Sequence, residues 1–282
     1  MPAQLASAVE LLWTGGAWLE GPTWLAASGR LRFSDIPNNR ILEFDAQSGE
    51  TSVYADGAEY ANGRTVDAEG RVIQCSHGRR AIERDTNGVL ETLAGSWSGG
   101  RFNAPNDVIV ASDGSIWFTD PPYGLHESGA EGYPGTPDYE GCFVFRWDPA
   151  TGIAEPVITD MVHPNGLAFS PDESVLYVAD TGFLWVDGGP AHIRAYDVDG
   201  TTLSNSRVFV VPRGTSDGFR VDVDGNVWTS SSLEVQVFAP DASEVLAFAV
   251  PERVSNLCFA GSDLYITAST SLYRVRTVTT GA

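Results

Sequence analysis

Short runs of alternating apolar and polar residues, separated by turn dipeptides, recur along the chain. The clearest example is NDVIVASDGSIWFTD at 106–120, where two β-branched and aromatic runs flank Asp113-Gly114. Two such runs joined by Asp-Gly predict a β-hairpin. Related stretches begin near positions 20, 62, 165, 217 and 255, so that the six copies lie 38 to 59 residues apart. This spacing is close to the period of β-propeller blades, about 40–50 residues.

Further alternating runs follow the hairpins and predict four antiparallel strands in each unit. Six such units predict an all-β, six-bladed β-propeller that forms a single domain over residues 1–282, since no linker interrupts them. The last unit ends with SLYRVRTV at 271–278 and is one strand short, while VELLWTG at 8–14 precedes the first unit. We expect this N-terminal strand to complete the last blade, which closes the ring and removes free sheet edges.

The residue just before each inner strand is polar in all six copies. Because equivalent positions of the blades meet at one rim of the central channel, we expect these side chains to converge there. They are Glu20, Asn62, Asn106, Asn165, Asp217 and Ser255. Two carboxylates and three carboxamides offer the oxygen donors that hard divalent cations prefer. A local interpretation stays open, because Asn-Gly and Asp-Gly pairs are also common in turns.

Two long connections, 121–141 and 181–191, fall on the same side of the predicted ring. Loops of this length inside a compact domain usually cover or line a binding site. The first is rich in Gly, Pro and Tyr, and we expect it to fold over the mouth of a pocket.

The charge balance limits the partners of the chain. Seventeen basic residues against 37 acidic ones give a formal net charge of −20. Such an excess disfavours nucleic acid and anionic membrane surfaces. The chain has no membrane-length apolar run, no recognisable secretory signal, and three separated cysteines without zinc or redox spacing. We therefore expect a cytoplasmic protein without nucleic-acid or membrane partners, and leave its oligomeric state open.

Four segments together resemble the gluconolactonase/regucalcin (SMP-30/gluconolactonase-like) family of six-bladed propellers. They are LEGPTW (19–24), RFNAPNDVIVASDGSIWFTDPPYG (101–124), HPNGLAFSPDE (163–173) and SDGFRVDVDGNVW (216–228). The similarity spans nearly the whole chain and is greatest to the bacterial gluconolactonase branch. The resemblance implies one divalent cation held by Glu20, Asn165 and Asp217, with Asn106 contacting either the cation or the substrate. Calcium is expected first for this all-oxygen set, and magnesium, manganese, zinc and iron stay open.

The resemblance also implies the hydrolysis of sugar-derived aldonolactones to aldonic acids. The lactone carbonyl would be polarised on the cation, and Asp217 is the candidate base for the attacking water. In a competing assignment Asp217 only holds the cation. Arg101, His77 and Tyr123, together with Asn106, are candidate substrate-binding residues. Two other functions stay open, a metal-dependent phosphotriesterase of the diisopropyl fluorophosphatase type and a non-catalytic calcium-binding propeller.

Overall fold

A computed structural model describes residues 3–282 and contains six four-stranded antiparallel sheets arranged in a ring. The first strand is β1 (Glu10–Thr14), which belongs to the last blade. Blade 1 follows with β2 (Leu19–Leu25), β3 (Arg30–Asp35), β4 (Arg40–Asp45) and β5 (Thr51–Asp56). Blade 2 contains β6 (Ala61–Val66), β7 (Val72–Ser76), β8 (Ala81–Thr86) and β9 (Val89–Ala94). A small hairpin, β10 (Ser96–Trp97) and β11 (Gly100–Arg101), leads into the next blade.

The other blades repeat this meander. Blade 3 contains β12 (Val108–Val110), β13 (Ile116–Asp120), β14 (Cys142–Asp148) and β15 (Ile153–Met161). Blade 4 contains β16 (Pro164–Phe169), β17 (Val175–Asp180), β18 (His192–Asp199) and β19 (Thr202–Val210). Blade 5 contains β20 (Phe219–Val221), β21 (Val227–Ser231), β22 (Glu234–Phe238) and β23 (Glu244–Ala249). Blade 6 contains β24 (Val254–Ala260), β25 (Asp263–Ala268) and β26 (Ser271–Arg276), and is completed by β1.

The turn between β12 and β13 shows why the sequence folds into hairpins. The backbone N–H of Gly114 donates to the carbonyl of Ala111 at 2.9 Å, which closes the turn. Gly114 has φ of +81°, a conformation that glycine adopts without steric strain. The Asp113 carboxylate accepts from the N–H of Ser115 at 2.8 Å. The hairpin predicted at 106–120 is therefore confirmed.

The hydrophobic core lies between neighbouring blades. One cluster joins blades 2 and 3 and includes Ile73 and Phe118, and another joins blades 1 and 6 and includes Phe33 and Tyr265. These side chains have almost no exposed surface. Because face-to-face packing of the sheets buries the apolar residues, the central channel is left to polar side chains.

The ring closes as predicted. β1 pairs antiparallel with β26, with Glu10 opposite Arg274 and Trp13 opposite Leu272. The Trp13 ring also contacts Phe33 of blade 1 edge-on, with 6.0 Å between ring centroids. The N-terminal strand thus joins the last blade to the first, and no edge of blade 6 is left open at β26.

The described residues contain only two short helices, each a single 3-10 turn, at Tyr123–Leu125 and Gly182–Leu184. Both belong to the long connections noted in the sequence. No helix in this part of the chain has the length and apolar character needed to cross a membrane. The three cysteines of the chain are free.

The substitution Trp13→Ala tests the docking of β1. We expect the free energy of unfolding to fall by about 2 kcal/mol, less than the ~3–5 kcal/mol of a fully buried aromatic, because the ring is half-buried. Urea denaturation measures this loss. Leu11→Ala is the matched control, since Leu11 is 55% exposed on the same strand, and its effect should stay within about 0.5 kcal/mol. Equal effects of the two substitutions would contradict the docking of β1.

Candidate active site

Five of the six predicted rim side chains line one cavity of about 360 Å³ at the end of the channel. These rim donors are Glu20, Asn62, Asn106, Asn165 and Asp217. The sixth prediction is wrong, because Ser255 is fully buried and its hydroxyl lies 2.5 Å from the carbonyl oxygen of Leu19. Its neighbour Asn256 reaches the site instead, donating from Nδ2 to Oε2 of Glu20 at 3.1 Å.

Hydrogen bonds between blades hold the backbone at this rim. The N–H of Gly63 donates to the carbonyl of Asn106 at 2.8 Å, and the N–H of Gly166 donates to the carbonyl of Asp217 at 3.0 Å. The N–H of Gly218 donates in the same way to Ser255 at 2.7 Å. Each bond ties the segment that carries a rim donor to the next blade, so the positions of the donors depend on one another.

The glycines that follow the rim donors allow this close approach. A Cβ at Gly63 would lie 2.5 Å from the carbonyl oxygen of Asn106, and one at Gly166 would lie 2.3 Å from that of Asp217. Both glycines lie inside strands, β6 and β16, so the turn interpretation of these Asn-Gly pairs is wrong. They are required because the backbone of the neighbouring blade occupies the space of a side chain.

His77 orients the amide of Asn62. Nδ1 of His77 lies 2.8 Å from the carbonyl oxygen of Glu131, which can only accept a hydrogen bond, so Nδ1 carries the proton. Burial lowers the pKa of His77 to about 4, which keeps the ring neutral and makes Nε2 an acceptor. Nε2 therefore accepts from Nδ2 of Asn62 at 3.1 Å. Oδ1 of Asn62 is buried without a partner among the described residues, so it is the atom that Asn62 can offer to a ligand.

A second set of contacts orients Asn165. Its Nδ2 donates to Oγ1 of Thr181 at 3.3 Å, and Thr181 in turn donates to the carbonyl of His163. The hydroxyl of Tyr123 also bonds to Oγ1 of Thr181. Since the amide nitrogen of Asn165 is bound to Thr181, its oxygen is the atom left for the cavity.

Of the two rim carboxylates, Glu20 is buried and Asp217 is half-buried, and they lie close enough to repel each other. Oε2 of Glu20 accepts from the N–H of Gly21 and from Asn256, whereas Oε1 is buried with no partner in the described part of the chain. Burial and the charges of Asp217 and Asp107 raise the pKa of Glu20 well above its usual range. Burial, together with the charge of Glu131, raises the pKa of Asp217 to about 7. The positive charge of Arg253 acts in the opposite direction on the pKa of Asp217 and offsets this effect only in part.

This donor set fits a hard divalent cation. The unpartnered oxygen of Glu20, the amide oxygen of Asn165 and the carboxylate of Asp217 supply oxygen ligands of the preferred type. A bound cation would neutralise the repulsion between the two carboxylates. No group of three or more His, Cys, Asp or Glu side chains able to hold a metal is found in residues 3–282, since the rim combines two carboxylates with amides.

The candidate substrate-binding residues are distributed over three environments. Tyr123 lines the cavity together with Asn106. His77 lies behind the lining, where it orients Asn62 as described above. Arg101 is exposed away from the cavity lining, and its Nη2 donates to the carbonyl of Arg79 at 2.9 Å. We therefore omit Arg101 from the site.

Eight lining residues were not predicted as site residues from the sequence. They are Trp18, His126, Ser128, Ala130, Glu131, Leu184, Trp185 and Arg253. Glu131 and Trp185 belong to the two long loops, which indicated a covered pocket but not which side chains would enter it. The Trp185 ring packs edge-on against Tyr123 at 4.9 Å between centroids, so the two loops meet beside the cavity. Trp18 precedes Glu20 by two residues, and its nearness to a predicted rim donor is the signal that the sequence offers for it.

Fold and rim together define a class of protein, a six-bladed β-propeller with an oxygen-lined site for a small ligand at one end of its channel. Residues 18–270 match the family described as SMP-30/Gluconolactonase/LRE-like region, and the chain belongs to that family.

Individual relatives agree with this assignment. A gluconolactonase of Zymomonas mobilis is 30% identical, with 98% of this chain and 83% of the relative covered. A pentonolactonase of Haloferax volcanii is 29% identical, with 89% of this chain and 81% of the relative covered. The solved structure of a gluconolactonase from Xanthomonas campestris superimposes with a TM-score of 0.89 at 36% identity, covering 98% of this chain and 95% of that one.

The substitution Gly166→Ala tests the close approach of blades 4 and 5. The added methyl group would press on the backbone of Asp217, and we expect a loss of about 1–3 kcal/mol in the free energy of unfolding. Urea denaturation again provides the measurement. Gly95→Ala is the control, since the nearest atoms to its added Cβ lie 3.9 Å away. A Gly166→Ala protein as stable as the parent would show that the strands can separate at the rim.

Proposed function

We propose that this protein is a metal-dependent lactonase that hydrolyses sugar-derived aldonolactones to aldonic acids. The observation that carries the proposal is the convergence of two carboxylates and three carboxamides from five blades on one cavity. The names of the similar proteins, gluconolactonase and pentonolactonase, support the substrate class.

In this proposal Glu20, Asn165 and Asp217 hold one divalent cation, and Asn106 contacts either the cation or the substrate. Calcium is the first expectation for an all-oxygen donor set. When bound, the cation supplies Lewis-acid polarisation of the lactone carbonyl and neutralises the carboxylates.

The substrate would be held by the cavity walls. Trp18, Tyr123 and Trp185 provide aromatic faces, while the oxygens of Asn62 and Asn106 can accept hydrogen bonds from hydroxyl groups of a sugar. A small number of fixed polar groups beside aromatic faces can orient a small molecule in such a site. The two loops that carry Tyr123 and Trp185 contact each other beside this space.

Asp217 is the candidate general base. Its carboxylate would take a proton from the water that attacks the lactone carbonyl. The ring C–O bond then breaks and the ring oxygen takes up a proton, giving a hydroxy acid. In the alternative assignment Asp217 only holds the cation. Asp217→Asn separates the two assignments, because the amide keeps an oxygen ligand but cannot accept a proton.

For Asp217→Asn we expect turnover of aldonolactones to fall by about 10²–10⁴-fold, the range for loss of a general base. If Asp217 is the base, the cation affinity measured by titration calorimetry should fall much less than turnover does. If Asp217 is only a ligand, affinity and turnover should fall in parallel. Circular dichroism should show an intact propeller. Asp199→Asn, which changes an exposed carboxylate at the end of β18, is the control and should keep the parental rate.

The substrate class is tested by removing divalent ions with a chelator, restoring single cations, and assaying aldonolactones beside a phosphotriester. We expect turnover of aldonolactones only with cation present. A phosphotriester preference, or no turnover with any cation, would contradict the proposal, as would an Asp217→Asn protein with near-parental rates.

Cation affinity should depend on pH. Without the cation, the pKa of Asp217 is about 7 and that of Glu20 is raised. Protons on these carboxylates compete with the cation, so binding releases protons. We expect affinity to rise as the pH increases towards about 7, by about tenfold per pH unit for each proton released. Calorimetry in buffers of different ionisation enthalpy counts the protons. An affinity that is constant from about pH 5 to 8 would contradict a site built on these carboxylates.

A further inference from the structure

Arg253 lines the cavity, and its surroundings leave most of its hydrogen-bonding capacity unused. We infer that Arg253 is the anion-binding residue of this site and that its partner is an oxyanion carried by the ligand. The inference rests on the proposed function for the type of ligand, a lactone or its ring-opened acid. Its first experiment, however, measures binding and does not depend on turnover.

The charges of the chain distinguish Arg253 from its other basic residues. The sequence has no lysine, so all 17 basic residues are arginines. In the described part of the chain, every arginine except Arg64, Arg101 and Arg253 has a carboxylate oxygen within 4.0 Å. Arg64 is fully buried and donates to Gly21 and Ser34, and Arg101 lies outside the cavity. Arg253 is the arginine that lines the cavity, and it is one of the three without such an ion pair.

The position of Arg253 is set from two sides. Its carbonyl accepts from the N–H of Ser269 at 2.9 Å, which places the residue at the entrance to blade 6. Its Nη2 donates to Oγ1 of Thr215 at 3.3 Å, and the guanidinium carbon lies 5.8 Å from the centre of the Trp18 ring. Thr215 and Trp18 each precede a rim carboxylate by two residues. The guanidinium is thus held beside the rim in the sector where Ser255 supplies no donor.

The available donors suit an oxyanion. A guanidinium has five N–H donors in a planar fork that matches a carboxylate or a similar group. Thr215 accepts from one nitrogen of Arg253, and the group itself is exposed towards the cavity mouth. Three carboxylates also line this cavity, on Glu20, Glu131 and Asp217. These carboxylates repel an anionic ligand, and the positive charge of Arg253, which also acts on Asp217, reduces that repulsion.

The oxyanion can come from two sources. Ring opening of any lactone forms a bond from water oxygen to the carbonyl carbon, breaks the ring C–O bond, and leaves a carboxylic acid that loses its proton near neutral pH. Alternatively, the lactone carries a permanent anionic substituent. Both sources present an oxyanion to the guanidinium. Kinetics with a neutral lactone and with an anionic lactone distinguish them.

The binding experiment compares gluconate with sorbitol on the cation-loaded protein, since both have a six-carbon polyol chain and only gluconate has a carboxylate. For Arg253→Gln we expect gluconate binding to weaken by at least about tenfold, as for loss of a charged hydrogen bond, with sorbitol binding unchanged. Arg253→Lys keeps the charge without the fork and should give an intermediate value. Arg276→Gln is the control, because its side chain is 63% exposed and lies in blade 6 away from the cavity.

Kinetics with a neutral aldonolactone and with one bearing a carboxylate identify the source. Weaker inhibition by the ring-opened acids of both lactones, with kcat/KM unchanged, assigns the oxyanion to the carboxylate formed in the reaction. A fall in kcat/KM for the anionic lactone alone assigns it to a substituent. The inference is overturned if the Arg253→Gln protein binds gluconate as tightly as the parent does. It is also overturned if the substitution weakens the binding of gluconate and of sorbitol equally. A parent protein that hydrolyses no lactone would reject the proposed function while leaving the binding comparison valid.

Discussion

The close approach of the inner strands around the channel is the constraint on which the site depends. Where the backbone of one blade contacts that of the next, as at Gly63 and Gly166, there is no room for a Cβ. The same contacts bring the carbonyls of Asn106 and Asp217 into hydrogen bonds with the preceding blade. Packing between blades stabilises the ring, and these backbone contacts fix the positions of the donors within it.

The site concentrates negative charge that Arg253 neutralises only in part. Glu20 keeps one buried oxygen unpartnered among the described residues, and the pKa of Asp217 is raised to about 7. Buried groups of this kind destabilise a fold, and they cluster at sites of binding and catalysis. The loops are part of the same hydrogen-bonded system, because Glu131 fixes the tautomer of His77 and Tyr123 bonds to Thr181. A movement of either loop would therefore alter the orientation of the amides at the rim.

Most of the architecture could be predicted from the sequence, because hairpin patterns and their repetition are local signals. The Asp113-Gly114 turn and the pairing of the N-terminal strand with β26 follow from such signals. The direction of a single side chain is harder to predict. Ser255 holds the position equivalent to Asn106, since its carbonyl accepts from Gly218 as that of Asn106 accepts from Gly63. Its short side chain bonds to the backbone of Leu19, however, and Asn256 contacts Glu20 instead.

Only the site residues that recur at the same position of each blade could be predicted from the sequence. The rim donors occur at equivalent positions of the hairpins, so their convergence follows from the ring. Arg253 and Trp18 lie in connections between blades, where no repeat marks them, and their proximity depends on tertiary contacts. Arg101 shows the opposite error, since nearness to Asn106 along the chain does not bring it into the cavity.

A crystal structure of the protein grown with calcium would test the central claim most directly, namely that oxygens from distant blades hold one cation. The account predicts a single ion in the cavity, with carboxylate oxygens of Glu20 and Asp217 and the amide oxygen of Asn165 at about 2.3–2.6 Å. An ion bound elsewhere, or a cavity in which these three side chains do not share an ion at saturating calcium, would contradict it.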